Sequence, residues 1–482
     1  DQHGHFSACI MSATGDDAQL ILDTGHPAWQ VEWSPDGKRL AVCCEIQGQD
    51  YGIFVLDLQT REITEIQFNA HNPKWSPDGK KLAFHFDLTN WGIDVGAYDL
   101  ERKEINWLVK RDGDSGSFAI METRESLLRL REYLASGQKT HALHVAYTKE
   151  AEAVNQIYTL VAKGWKIYEV GKGIHNGIKF TPDLKQMVTT FSSPGQSPDL
   201  WMIDVDSGKS IQLTHSMPEE VFRSEFVMPE EIQYPGMGGP QVPALLFRPR
   251  HTPAPAVVMI HGGPNWHYCA EWNPLMAHFA SRGFAVLAPN YRGSTGYGRD
   301  WQYAARFDLG GVDTRDIAAG AEYLIREGIA EPSRIALTGR SHGGYLTMTC
   351  LTQFPELWCG GSAVVPFMNW FKSHEESRED LQHWNIENMG DPRENYERWY
   401  NASPYFFLDR IKAPVQLICG GNDPRCPASD SLAARDKLVE LGKDAELILY
   451  EEEGHSFLKL ENLIDSEVRR AEFLAKVLGE RQ

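Results

Sequence analysis

The chain has 482 residues and a formal net charge of −19, from 66 acidic and 47 basic side chains. At about 150 residues per domain this length suits two or three domains. The charge excludes nucleic acid or an anionic membrane surface as a main partner, since both need a basic face. The purely apolar runs at 256–260 and 284–288 are five residues long. A membrane span needs about 18 or more, so a soluble protein without membrane contact is expected. No charged start leads into an apolar stretch and a cleavage-type residue. The first residue is Asp1, which suggests trimming. The eight cysteines form no CxxC pair and no zinc spacing. They read as buried, reduced thiols of a cytoplasmic protein. No cofactor and no metal is expected; His3-Gly-His5 reads as a terminal tail.

The first half is repetitive. Trp33-Ser-Pro-Asp-Gly-Lys38 recurs as Trp75-Ser-Pro-Asp-Gly-Lys80, 42 residues on, and more weakly as Phe180-Thr-Pro-Asp-Leu-Lys185. Ala135-Ser-Gly-Gln-Lys139 is a degenerate copy. In Pro-Asp-Gly, proline presets φ and glycine accepts a positive φ, which makes a tight turn. Each copy precedes an apolar run and then two strand-like runs around another turn. A four-stranded unit of about 40–45 residues has the pitch of a propeller blade. Full units fall at about 24–66, 67–110, 113–170 and 171–214, and residues 8–23 resemble the last two strands of a further blade. The expectation is a small β-propeller of four or five blades over residues 1–222. In the long third unit, Glu122 to Tyr133 suits a short helix. Ile157 to Val161 reads as strand, or in a second reading Ala151 to Ala162 is the helix of an inserted β-α-β unit.

From about residue 223 to 482 the pattern becomes α/β, with strands expected at 256–260, 284–288, 334–338, 361–365, 415–419 and 446–450. Helices are expected at 273–281, 315–327, 342–353, 428–441 and 462–478. The last of these should turn Leu463, Val468, Ala471, Phe473 and Leu474 inward. The boundary between the halves is expected near Phe222 to Pro229.

Gly339-Arg-Ser-His-Gly343 matches G-x-S-x-G between an expected strand and an expected helix, the setting of an α/β-hydrolase nucleophile. Ser341 needs a base, and the base needs an orienting carboxylate. Asp423, in Gly420-Gly-Asn-Asp-Pro-Arg-Cys-Pro427, and His455, in Glu453-Gly-His-Ser-Phe457, each follow a strand end in the chain order of this fold. His342 is adjacent to the serine and is expected to offer only its backbone N–H. That N–H would pair with Gly263, or alternatively Gly262, of His261-Gly-Gly-Pro264 as an oxyanion hole.

Together with Asn290-Tyr-Arg-Gly-Ser-Thr-Gly-Tyr-Gly298, these motifs resemble the prolyl oligopeptidase family of serine peptidases, nearest its acylaminoacyl-peptidase branch. The resemblance implies a propeller followed by an α/β-hydrolase domain. It implies cleavage of short peptides or acyl and aminoacyl amides in a cavity between the domains. It also implies that Arg425 reaches a substrate carbonyl. Phe367, Trp370 or Phe371 would line the specificity pocket. A carboxylesterase, an aminoacyl-metabolite hydrolase and an inactive scaffold are the other readings. The sequence leaves the oligomeric state open. Three features depart from the pattern: the small propeller, Cys426 where an aliphatic residue is common, and Gly454-His-Ser in place of Gly-His-Gly. Glu219-Glu220 and Glu230-Glu231 are poor candidates for binding a substrate amine.

Overall fold

The computed structural model describes all residues except 1–7, 11–18, 23–27, 48–49, 69, 77, 88–92, 110–145, 152–153, 162–163, 182–184, 223–225, 298, 378 and 480–482. The helix expected at 122–133 lies outside the described residues. The chain divides into two compact units: Asp1–Val145 with Leu160–Gly164, and Ala146–Thr159 with Trp165–Gln482.

In the first unit, β1 (Ala8–Ile10) pairs antiparallel with β2 (Gln19–Leu22). Two four-stranded antiparallel meanders follow. The first comprises β3 (Ala28–Trp33), β4 (Arg39–Gln47), β5 (Asp50–Asp57) and β6 (Ile63–Phe68). The second comprises β7 (Ala70–Trp75), β8 (Lys81–Asp87), β9 (Ile93–Asp99) and β10 (Glu104–Val109). The repeated turns are built alike. Asp36 Oδ1 accepts from Ser34 Oγ at 2.6 Å and Lys38 N at 3.1 Å. Asp78 Oδ1 does the same with Ser76 Oγ at 2.6 Å and Lys80 N at 3.0 Å. Gly37 and Gly79 both take φ of +67°, which a side chain would strain. The two meanders pack through Ala41, Cys43, Ile53 and Val55 on one and Leu82, Phe84 and Tyr98 on the other. Trp75 Nε1 also donates to Glu32 O at 3.1 Å.

The strands β11 (Ala146–Ala151), β12 (Val154–Val161) and β13 (Gly164–Tyr168) form a three-stranded sheet. Residues 154–161 are therefore strand, and the β-α-β alternative falls. In the second unit, β14 (Ile174–Phe180), β15 (Gln186–Ser193), β16 (Gln196–Asp204) and β17 (Ser210–Gln212) form another antiparallel meander. A one-turn helix, α1 (Glu219–Phe222), follows it.

An eight-stranded sheet then forms from β18 (Glu230–Pro235), β19 (Gln241–Phe247), β20 (Ala254–Ile260), β21 (Ala285–Pro289), β22 (Ala330–Arg340), β23 (Gly360–Val364), β24 (Val415–Gly420) and β25 (Ala445–Tyr450). The order is β18-β19-β21-β20-β22-β23-β24-β25. The first two pairings are antiparallel and the rest parallel. Its helices are α2 (Pro274–Ser281), α3 (Arg299–Tyr303), α4 (Val312–Arg326), α5 (His342–Gln353), α6 (Trp370–Glu376), α7 (Glu379–Met389), α8 (Tyr396–Ala402), α9 (Ala428–Glu440) and α10 (Leu460–Val477). One core cluster joins Val258, Leu337 and Leu417 of the sheet to Ile317 of α4 and Leu346 of α5; another joins Val257 and Val286 to Phe279 of α2 and Leu474 of α10. This three-layer arrangement, with a mostly parallel sheet between helices, is that of an α/β hydrolase. Among the described residues, no helix is long and apolar enough to cross a membrane.

The helix α10 corrects one expectation. Leu463 and Val468 are 39% and 47% exposed, whereas Ser466, Arg470, Phe473 and Leu474 are buried. The inward stripe includes a charged residue because Arg470 Nε donates to Thr338 Oγ1 of β22 at 2.7 Å. A buried guanidinium with such a partner is tolerated where an unpaired one is not.

Candidate active site

The strands β22 and β23 run parallel, so β22 ends at the sheet edge where α5 begins. Between them, Ser341 takes φ 58° and ψ −120°, a positive φ that a non-glycine residue adopts only under strain of about 1–3 kcal/mol. Its N–H donates to Val364 O at 2.8 Å. The flanking glycines permit the elbow sterically. A Cβ on Gly339 would run into the Gly343 backbone, and one on Gly343 would meet the carbonyl oxygens of Ile260 and His261.

Two further loops at the same edge complete the site. Asp423 follows β24 and His455 follows β25. His455 Nε2 lies 2.9 Å from Ser341 Oγ, and His455 Nδ1 lies 2.8 Å from Asp423 Oδ2. The structure thus brings Ser341, His455 and Asp423 into one hydrogen-bonded line. Asp423 is 5% exposed, and its other oxygen accepts the N–H groups of Arg425 at 2.8 Å and Cys426 at 2.9 Å. The carboxylate is therefore fixed from both sides.

The histidine loop is held by residues that sequence reasoning passed over. Arg340 Nη2 donates to His455 O at 2.6 Å, and its guanidinium packs 5.2 Å over the Phe457 ring. Glu453 is buried and accepts from Leu458 N, Lys459 N and Asn462 Nδ2. The aspartate loop leans on the same segment: Gly421 N donates to Tyr450 O and Asn422 N to Glu453 O. A Cβ on Gly420 would meet Glu453 O at 2.6 Å. Glycine is needed there so that the two loops can approach.

His342 is buried, and its ring faces away from this line. Its Nε2 stands 3.5 Å from Asp313 Oδ2 without making a hydrogen bond, and the ring packs against Tyr345 and Phe367. Of the two loop glycines, Gly262 stands nearer the serine, since a Cβ on it would lie 3.5 Å from Ser341 Cβ. Gly263 takes φ 124°, and a Cβ there would crowd Asn265 N and Trp266 N. His261 anchors this loop. Its Nε2 meets Ser294 Oγ at 2.8 Å and its ring stacks 4.2 Å from Tyr291. Burial pushes its imidazole down to about 3, so it stays neutral. The Asn290–Gly298 segment serves the same scaffold. Asn290 bonds both Tyr268 N and O, and Arg292 forms a two-pronged pair with Asp316 at 2.9 and 2.7 Å. Burial raises the Asp316 carboxyl against the pull of Arg292.

Residues 270–481 match the prolyl oligopeptidase family. This segment contains Ser341, Asp423 and His455.

Residues 270–481 form a prolyl oligopeptidase family domain.

The chain is 26% identical to the acylamino-acid-releasing enzyme of Rattus norvegicus, over 66% of this chain and 44% of that protein. It thus spans less than half the length of that relative. Among solved structures, a puromycin hydrolase superposes with a TM-score of 0.78 at 20% identity, covering 97% of this chain and 73% of the other. The acylaminoacyl peptidase of Pyrococcus horikoshii gives 0.64 at 20% identity, covering 98% and 92%. The chain therefore has the fold of a propeller plus a hydrolase.

Within the prolyl oligopeptidase family domain, Arg425 is exposed, and its guanidinium forms no ion pair among the described residues. Phe367 is half-buried and stacks 4.5 Å from Tyr345. Phe371 is also half-buried, against Tyr396 and Trp399. Trp370 corrects an expectation: it is 1% exposed and belongs to the core. The local helix α6 turns its indole inward onto Trp399, so it is no pocket wall. Asp430 is a further residue the sequence did not single out. Its Oδ2 accepts from Met368 N at 2.5 Å and Asn369 N at 3.1 Å, tying α9 to the segment that carries Phe367. Burial pushes its carboxyl up to about 6.

Proposed function

We propose that the chain is a serine peptidase that cleaves short peptides or acyl and aminoacyl amides through an acyl-enzyme on Ser341. The observation that carries this reading is the line from Ser341 Oγ through His455 to Asp423, with separations of 2.9 and 2.8 Å. Ser341 Oγ attacks the scissile carbonyl while His455 Nε2 takes its proton. The Asp423 carboxylate accepts the Nδ1–H and stabilises the imidazolium that forms. The imidazolium then protonates the leaving amine. Water, deprotonated by the same nitrogen, releases the acyl group. The N–H of His342, at the start of α5, together with that of Gly263 or Gly262, stabilises the oxyanion.

Arg425 is assigned to the substrate carbonyl. An exposed guanidinium two residues beyond Asp423 offers a planar fork of donors. Arg425→Ala is expected to lower kcat/KM about 30- to 150-fold, equivalent to about 2–3 kcal/mol, the scale of a charge-assisted hydrogen bond. Steady-state kinetics on the folded variant check this. A loss of melting temperature with unchanged kcat/KM would make Arg425 a loop-holding residue instead.

Short substrates are preferred in this reading. Ordering a long chain costs about 1–2 kcal/mol per fixed backbone residue. A dipeptide-sized amide should therefore be cleaved with a much higher kcat/KM than a peptide of about 30 residues with the same terminal sequence. Equal rates would remove the preference and favour a plain esterase.

The proposed division is a propeller over residues 1–222 and a catalytic domain over 223–482. The propeller is proposed to have four or five blades. The meanders β3–β6, β7–β10 and β14–β17 and the sheet β11–β13 support this count, with the pair β1–β2 as part of a further blade. A cytoplasmic location is proposed because every cysteine with a described side chain is a free thiol.

A further inference from the structure

Cys426 follows Asp423 by three residues and is 6% exposed. The Asp423 carboxylate draws in the Cys426 N–H and curls the loop, so the thiol faces the Ser341 side chain. One ligand atom each from Asp423, Cys426 and His455 lies within 4.8 Å of the others. We propose that these three residues form a binding site for a soft divalent cation, zinc or cadmium, and that occupying it switches the hydrolase off.

The donor set is a thiolate, an imidazole and a carboxylate, the set that zinc takes with three protein ligands and an open fourth position. With bonds of about 2.0–2.3 Å, a tetrahedral ion holds its ligand atoms about 3.3–3.8 Å apart. The present spacing reaches this with shifts of about 1 Å. The charges also close, since a thiolate and a carboxylate balance a dication and leave no net charge buried. On binding, the Cys426 thiol releases its proton to solvent as the sulfur–metal bond forms, and one ring nitrogen of His455 becomes a ligand. Coordination through Nε2 uses the lone pair that must accept the Ser341 proton. Coordination through Nδ1 leaves the ring proton on Nε2, with the same result.

Binding does not depend on the proposed peptidase activity; only the off-switch rests on that reading. The test titrates the full chain with cadmium, reading the thiolate-to-cadmium charge-transfer absorbance, and with zinc, reading equilibrium dialysis and residual hydrolysis. Cys426→Val is compared throughout, and Cys426→Ser serves if the valine variant does not fold. The expected result is about one equivalent of absorbance and of bound zinc that the variant loses. The half-inhibitory zinc concentration should rise about 10- to 100-fold, and a chelator should restore native activity. Equal absorbance and zinc binding in native and variant chains would overturn the site. Equal zinc inhibition midpoints would overturn the switch. A native chain that binds the metal but hydrolyses nothing would keep the site and reject the peptidase reading.

Discussion

Ser341→Ala is expected to lower kcat by about 10⁶, the scale of removing a triad nucleophile. The elbow points Ser341 Oγ at His455 Nε2, 2.9 Å away, while backbone contacts around Gly339 and Gly343 fix the turn. The loss should fall on kcat, with substrate binding largely kept, and an organophosphonate should label Ser341 alone in the native chain. The strain at Ser341, with φ 58°, adds a second expectation. Alanine also strains at positive φ, so the variant should be no more stable than the native chain. Retained turnover, or a phosphonate adduct on another serine, would reject the assignment.

Asp423→Asn is expected to lower kcat by about 10⁴ with the fold intact. The amide is isosteric and its oxygen can still accept the Arg425 and Cys426 N–H groups that the carboxylate now holds. Its NH₂ group, however, would face His455 Nδ1. That nitrogen would then have to accept, which leaves the ring proton on Nε2 and removes the lone pair Ser341 needs. His342 supplies the contrast. Its ring packs near Asp313 and Tyr345, so His342→Gln, which keeps the backbone N–H, should change kcat by less than about tenfold, below the roughly 10²–10⁴-fold that a general acid–base group contributes. His455→Gln should approach the Ser341→Ala loss. The reverse order of the two histidine variants would exchange their roles.

These assignments were legible because the motif and its setting coincide. A G-x-S-x-G between an apolar strand and an amphipathic run leaves few alternatives, and helix α5 spans the residues its pattern indicated. The aspartate and histidine were legible for the same reason: each follows a strand whose apolar run is plain. The hairpin of β18 and β19 was not legible, because Glu230, Glu231, Pro235 and Gln241 break the alternation of an edge strand. Helices α6 to α8 were hidden by polar stretches between their few buried aromatics. Arg340 and Glu453 were invisible for a different reason. Most of their hydrogen-bond partners are backbone groups, and the carbonyl held by Arg340 lies 115 residues away. No local pattern records such a bond. The face of α10 misled because Leu463, Ile464 and Val468 are apolar yet exposed, while Arg470 is buried through its bond to Thr338.

The most direct test of the central claim is product analysis by mass spectrometry. A pool of free, acetylated and aminoacyl-amide short substrates is incubated with the native chain and with Ser341→Ala. The account predicts amide-bond cleavage products from the native chain and none from the variant. An untouched amide pool beside readily cleaved simple esters, or the same products from both chains, would contradict it.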